Sequence, residues 1–239
     1  MNPEKAKVEA AKKNAAYAAV QHVKDGFIVG LGSGSTAAYA IEALGERIKR
    51  ERLSVLAVPS SYQAFLLAAQ HGIAVTTLEE HSVLNVSVDG ADQIDPKLDL
   101  IKGMGAALAR EKIVASASKM NIIIADESKK TQMLGEKGQV VPIEVLPFAI
   151  SMVKSRIEAV GGKPSLREGK GKVGPVITDN GNVIMDADFG AISNASELEV
   201  KLKMIPGVVE TGLFINLADM AYVGTASAIE TIKRKDGRQ

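Results

Sequence analysis

The feature that most constrains this chain is an alternation of short apolar runs with helical stretches over its first half. Phe27-Ile28-Val29-Gly30-Leu31, closed by Gly32, has the length and composition of a buried strand. Helical periodicity covers 6–23 before it and 35–50 after it. The spacing then predicts a strand over 54–58 stopped by Pro59, a helix over 61–71 ended by Gly72, and strands over 73–77 and 84–88. A helix over 106–118 and a strand over 121–125 follow. Strands and helices in this order predict an α/β protein, with a mostly parallel sheet and helices on both faces. Ligands of such sheets collect beyond the carboxyl ends of the strands.

The pattern changes near Gly135-Glu136-Lys137-Gly138. A strand over 139–145 and a helix over 147–160 come next. Two apolar runs, 176–178 and 183–185, flank Asp179-Asn180-Gly181-Asn182, and Asn-Gly between such runs signals a hairpin. A helix over 196–204 and a strand over 207–214 complete a smaller α+β unit, and 218–232 returns to the first domain. The expected division is 1–138 plus 215–239 for the larger domain and 139–214 for the smaller.

Composition removes several functions. Among 239 residues there is no cysteine, which excludes disulfides, a thiolate nucleophile and zinc–thiolate sites and fits a reducing compartment. The formal net charge of +1 gives no field to recruit nucleic acid or an acidic membrane. Aromatics are 4% and Trp is absent, so stacking on bases is not expected. The N-terminal stretch lacks the apolar core of a signal peptide, and no run has the roughly 18 apolar residues of a membrane helix. The basic 233–239 segment reads as a solvated tail. The three histidines, His22, His71 and His81, are scattered, so no metal site is expected.

Four segments can carry chemistry. Gly30-Leu31-Gly32-Ser33-Gly34-Ser35-Thr36 lies between a strand and a helix. Its glycines let backbone approach an anion, and the helix start offers N–H groups and a positive dipole end. It matches neither the Walker loop nor the dinucleotide pattern, and a plain turn with Ser35 as N-cap would look alike. Asp89-Gly90-Ala91-Asp92 ends a central strand, where paired carboxylates can hold sugar hydroxyls, move protons or bind a divalent cation. An acidic turn capping its own backbone gives the same pattern.

Lys102-Gly103-Met104-Gly105 forms a second loop at a helix start, and Arg110-Glu111-Lys112 follows in an otherwise uncharged helix. Three consecutive residues fan across about 200° of a helix, so in a buried helix at least one charge faces inward. A desolvated glutamate suits a general base, but an internal Arg–Glu pair is the alternative. Lys129, in Asp126-Glu127-Ser128-Lys129 at another strand end, can meet a phosphate or an oxyanion.

Taken together and in order, these segments resemble the type A ribose-5-phosphate isomerase family. Pro142-Ile143-Glu144-Val145, Thr178-Asp179-Asn180-Gly181-Asn182 and 205–214 extend the likeness over nearly the whole chain. The resemblance implies interconversion of D-ribose 5-phosphate and D-ribulose 5-phosphate through a cis-enediolate, without metal or organic cofactor. It implies a Rossmann-like mostly parallel sheet domain with a smaller ferredoxin-like lid, and a cytoplasmic homodimer or homotetramer. Glu111 matches the proton-shuttling base, Asp89 and Asp92 the residues that hold the sugar, and Lys102 the group that stabilises the developing negative oxygen. Ser33, Gly34, Ser35, Thr36, Asp89, Gly90, Ala91, Asp92, Lys102, Gly103, Met104, Gly105 and Lys129 match substrate-binding positions. Gln93 stands where glutamate is usual, and Met104 where glycine is; a positive φ at Met104 would be strained. An amino-sugar phosphate isomerase or deaminase and a phosphosugar-sensing effector domain are the alternatives. The first usually needs a histidine in the site, and the second is normally joined to a DNA-binding segment.

Overall fold

The computed structural model describes residues 3–171 and 173–234. In chain order the elements are α1 (Pro3–Val20), β1 (Ile28–Leu31), α2 (Ser35–Glu51), β2 (Leu56–Pro59), α3 (Tyr62–Gln70), β3 (Ala74–Val75), β4 (Val86–Gly90), β5 (Gln93–Ile94) and β6 (Leu100–Ile101). Then come α4 (Leu108–Ala117), β7 (Asn121–Asp126), β8 (Val141–Val145), α5 (Ile150–Ala159), β9 (Lys163–Leu166), β10 (Val183–Asp188), α6 (Ala195–Lys203), β11 (Val208–Thr211), β12 (Leu213–Phe214), β13 (Met220–Gly224) and β14 (Ile229–Lys233). None of the helices among the described residues is long and apolar enough to cross a membrane.

The chain divides into two compact units. The first holds the described residues up to Ala91, then Arg110–Lys129, and those from Asn216 onward. Its sheet runs β14-β13-β7-β4-β1-β2-β3, and every neighbouring pair except β13/β14 is parallel. Side chains alternate across β1. Val29 and Leu31 join a core with Ala15, Ala19, Ile41 and Leu44 of α1 and α2. Ile28 and Gly30 face the other way, where Val114 of α4 packs with Val58 and Leu84. The sheet therefore carries helices on both faces, as expected. On α2 the buried positions Ala37, Ala40, Ile41 and Leu44 recur every three or four residues. Full burial of a side chain such as Ile41 or Leu44 contributes about 1.5–3 kcal/mol.

The second unit holds Asp92–Ala109 and Lys130–Ile215. This differs from the expected division: 92–109 and 130–138 pack with the smaller unit. Elements β8-α5-β9-β10-α6-β11 form a four-stranded antiparallel sheet in the order β11-β8-β10-β9, the split βαβ arrangement of ferredoxin-like domains. A small sheet, β12-β6-β5, completes it.

Two expected elements change form. The apolar run 207–214 is not one strand; β11 pairs with β8 and β12 with β6. The break is at Gly212, whose N–H donates to the Pro142 carbonyl (2.7 Å) and whose carbonyl accepts from the Lys102 amide (2.9 Å). A Cβ there would collide with the carbonyl oxygens of Lys102 and Pro142, so only glycine lets these strands close up. The hairpin expected around Asn180-Gly181 is a tight turn with a single bridge, Ile177 to Val183. The β10 edge it would need is taken by β9. Buried Glu144 holds the turn, accepting from the Thr178 hydroxyl (3.0 Å) and the Asn182 amide (2.7 Å). At the C-terminus, Lys233 closes β14 and Arg234 donates to the Ala218 carbonyl (2.8 Å); the rest of the expected basic tail, 235–239, lies outside the described residues.

Candidate active site

Strands β1, β4 and β7 are parallel neighbours, so their carboxyl ends share one edge of the sheet. The Gly32–Thr36 loop leaves β1, and Asp89-Gly90 ends β4. Their junction is a carboxylate. Asp89 Oδ1 accepts the Ser33 amide (3.1 Å) and the Gly90 amide (2.7 Å), with only 8% of the residue exposed. A Cβ on Gly90 would stand 3.9 Å from Thr36 Cβ, so the loop and the Asp89-Gly90 strand end form one surface. The Ser33 hydroxyl lies 2.9 Å from Ser60 Oγ and donates to Ser61 Oγ (2.6 Å), while Ser61 caps α3 through the Ala64 amide.

The plain N-cap reading of Ser35 does not hold. The N-cap of α2 is Gly34, and no side chain caps the helix. The Gly34 amide is held by Gln63 Oε1 (2.8 Å), and Ser35 opens the helix with its side chain exposed. An uncapped helix start presents N–H groups and a positive dipole end to an anion. Lys12 of α1 adds a cation, its Nζ donating to Ser35 Oγ (3.2 Å) and Glu9 Oε1 (3.1 Å). Nothing in the sequence around Lys12 marks it; only the packing of α1 on α2 brings it there.

In α4, Glu111 is 6% exposed and Lys112 is 8% exposed, while the next residue, Ile113, is open to solvent. The inward charge expected of this helix is therefore present. The Arg110 guanidinium lies 5.6 Å from the Tyr62 ring centroid, within cation–π range. Asp126, at the end of β7, accepts the Ser128 amide (3.0 Å) and hydroxyl, and so shapes the single turn that carries Lys129. His22 is tied to the Tyr222 hydroxyl (2.8 Å), and burial holds its pKa below the ordinary histidine value. His71 and His81 lie outside the candidate loops.

In the second unit, Asp92 Oδ2 accepts the Met104 amide (3.0 Å). Lys102 is 3% exposed, with Nζ 5.4 Å from the Phe214 ring centroid. The positive φ values of this loop fall at Gly103 and Ala106, not at Met104, so the feared strain is absent. Met104 is 48% exposed. Gln93 accepts the Gly135 amide (2.8 Å) and donates to the Glu136 carbonyl (2.8 Å). Those two bonds need an amide, which accounts for glutamine here; the residue braces a turn. Among the described residues no three His, Asp or Glu side chains group as metal ligands.

The sequence profile of the family described as ribose 5-phosphate isomerase A (phosphoriboisomerase A) matches residues 56–228. The chain belongs to this family. A ribose-5-phosphate isomerase A of Methanothermobacter thermautotrophicus is 49% identical over 222 residues, covering 93% of this chain and 97% of that relative. The Methanosarcina acetivorans relative is 48% identical over 225 residues, covering 94% of each chain. Among solved structures, ribose 5-phosphate isomerase A from Methanocaldococcus jannaschii superposes with a TM-score of 0.90 at 44% identity, covering 94% of this chain and 99% of that one. A D-ribose-5-phosphate isomerase in complex with phospho-erythronic acid gives 0.92 at 45% identity, covering 95% and 99%. The phosphoriboisomerase A fold expected from the motifs is thus the fold of the chain.

Proposed function

We propose that this protein interconverts D-ribose 5-phosphate and D-ribulose 5-phosphate, as an aldose–ketose isomerase working through a cis-enediolate in the non-oxidative pentose phosphate pathway. The observation that carries this reading is the 49% identity to a ribose-5-phosphate isomerase A, sustained over nearly the full length of both chains. The solved relative that binds phospho-erythronic acid, a phosphorylated four-carbon sugar acid, agrees with a phosphosugar substrate. The same match decides against the amino-sugar phosphate enzyme and the effector domain.

Isomerisation moves one proton between adjacent carbons. In our reading Glu111 takes the C2 proton of the open-chain aldose, and the carbonyl electron pair moves onto O1, which becomes the negative oxygen of a cis-enediolate. The O2 hydroxyl proton passes to O1, and return of the proton from Glu111 to C1 leaves C2 as the carbonyl of the ketose. A positioned carboxylate base contributes about 10²–10⁴ in rate. Lys102 stabilises the negative oxygen of the intermediate, a role that needs a fixed, desolvated cation, and Lys102 is buried. Asp89 and Asp92 hold sugar hydroxyls and assist ring opening. Ser33, Gly34, Ser35 and Thr36 anchor the phosphate at the uncapped start of α2, with Lys12 as an added cation. Gly90, Ala91, Gly103, Met104, Gly105 and Lys129 line the substrate. Lysine and backbone donors carry the charge, so the chemistry requires no metal or organic cofactor. The working form is a cytoplasmic homodimer or homotetramer.

The test is incubation with ribose 5-phosphate in deuterated water. Ribulose 5-phosphate carrying deuterium at C1 is the expected product. Protein that leaves ribose 5-phosphate unchanged ends this reading.

A further inference from the structure

The loop that carries Lys102 is held by a guanidinium from outside every candidate motif. Arg167 follows β9 and is largely buried, with 12% of its side chain exposed. A guanidinium has five N–H donors in a rigid fork, and here each meets an acceptor. Nε donates to Asp186 Oδ2 (2.7 Å), and Nη2 donates to Asp186 Oδ1, a bidentate pair with β10. Nη1 donates to the carbonyls of Gly103 (3.0 Å) and Met104 (2.9 Å). The remaining Nη2 donor faces Met104 Sδ at 3.8 Å.

The peptide linking Gly103 to Met104 is therefore gripped on both sides. Its carbonyl accepts from Arg167, and its N–H donates to Asp92 Oδ2. Lys102 lies just upstream, with its own amide held by the Gly212 carbonyl (2.9 Å). Between these fixed points Gly103 has φ +105°, a region glycine visits freely, so the residue itself supplies no rigidity. Without the clamp this peptide keeps its bonds to the Ala106 amide (3.0 Å) and Asp92 but loses both of the bonds that Arg167 donates, and with them part of what fixes the backbone next to Lys102. We infer that Arg167, anchored by Asp186, is a positioning residue: it fixes the Gly103–Met104 peptide and through it the ammonium of Lys102.

This rests on the isomerase reading above. The clamp touches no residue of the proposed phosphate-anchoring loop; it bonds only the backbone carbonyls of Gly103 and Met104, so its loss falls on kcat more than on KM. Lysine at 167 can keep one ionic contact to Asp186 but cannot hold two carbonyls and a bidentate carboxylate together.

The experiment measures steady-state kinetics of Arg167→Lys and Asp186→Asn with ribose 5-phosphate, alongside the wild type. A misaimed catalytic group costs about 10- to 100-fold in kcat, with KM held within about threefold. Both variants are expected to show this loss while their circular dichroism matches the wild type. If Arg167→Lys fails to fold, Asp186→Asn alone decides. Adding Arg167→Lys to Lys102→Ala is expected to change the residual kcat by less than about twofold, because the group being aimed is gone. Folded variants with kcat within about twofold of wild type overturn the inference, as does a full multiplicative loss in the Lys102→Ala background. An inactive wild type would instead strike the isomerase reading, so the two failures are told apart.

Discussion

Asp89 stands where a side chain on Gly32 would have to lie: an ideal Cβ on that glycine falls on the Asp89 carboxyl group. The same carboxylate accepts the amide of the next residue, Ser33, at 3.1 Å. The Gly32–Thr36 loop and the Asp89 carboxylate are thus built as one piece. Gly32→Ala should push Asp89 aside and deprive the Ser33 and Gly90 amides of their acceptor. The expected loss in kcat/KM is about 100-fold, with a stability cost of about 1–3 kcal/mol from overpacking. Kinetics and urea denaturation of the variant measure both; a kcat/KM close to wild type would mean that this close approach has no catalytic consequence.

Glu111→Gln keeps the shape of the side chain and removes its capacity to take a proton. With Glu111 as base, kcat should drop by about 10²–10⁴. Binding of ribose 5-phosphate, followed by calorimetry, should stay near the wild-type value, because the proposed phosphate anchor at the start of α2 is untouched. Deuterium exchange at C2 and C1 should vanish with turnover. A variant that turns over within about tenfold of wild type takes the base role away from this residue.

The parts of this structure that the sequence revealed are those set by short-range pattern. The alternation through 27–125 gave the parallel sheet because apolar periods of two and of three to four residues are local signals. The Gly32–Thr36 turn was visible for the same reason: strand, glycines and helix start are consecutive. Strands β5 and β6 are two residues each, too short to show a period, and so no local signal ties 92–109 to the smaller unit. The break at Gly212 was hidden because its cause, the carbonyls of Lys102 and Pro142, lies far away in sequence. Lys12 and Arg167 are silent in the sequence on the same ground. Each reaches its loop from a distant segment, Lys12 to Ser35 and Arg167 to Gly103 and Met104, and nothing near either residue announces it.

Gln93 departs from the family pattern at the edge of the acidic motif, and its side chain braces the Gly135–Glu136 turn. Gln93→Glu would set a carboxylate oxygen against the Glu136 carbonyl at a site only 5% exposed. One bond is lost and two acceptors face each other, so the expected cost is about 1–3 kcal/mol of stability. Activity at a temperature well below unfolding should be nearly unchanged. Urea midpoints and kcat measured side by side test this; a drop in kcat without a drop in stability would move Gln93 into the site.

The last prediction concerns acid. Arg47 of α2 is 9% exposed and donates to the carbonyls of Val20 and Val23 (3.2 Å to the latter), tying the end of α1 to α2. Its other donors go to Glu51, with Nε at 3.0 Å from Oε1 and Nη2 at 2.6 Å from Oε2, and Arg50 adds a contact of 2.7 Å. Hydrogen bonds from Arg47 first, and then Arg50, pull the Glu51 pKa from the ordinary 4.5 down to about 2. A carboxylate whose pKa is lowered in the fold stabilises it fully above its unfolded value. That contribution is lost as the pH falls from about 4.5 through about 2. Wild type should therefore be more stable than Glu51→Gln at neutral pH, with the gap narrowing across this acid window. Urea midpoints of the two proteins at about pH 6 and about pH 3 measure the gap. A gap of constant size at both would show that Glu51 acts through its shape rather than its charge, and that the Arg47 tie between α1 and α2 survives without a counter-ion.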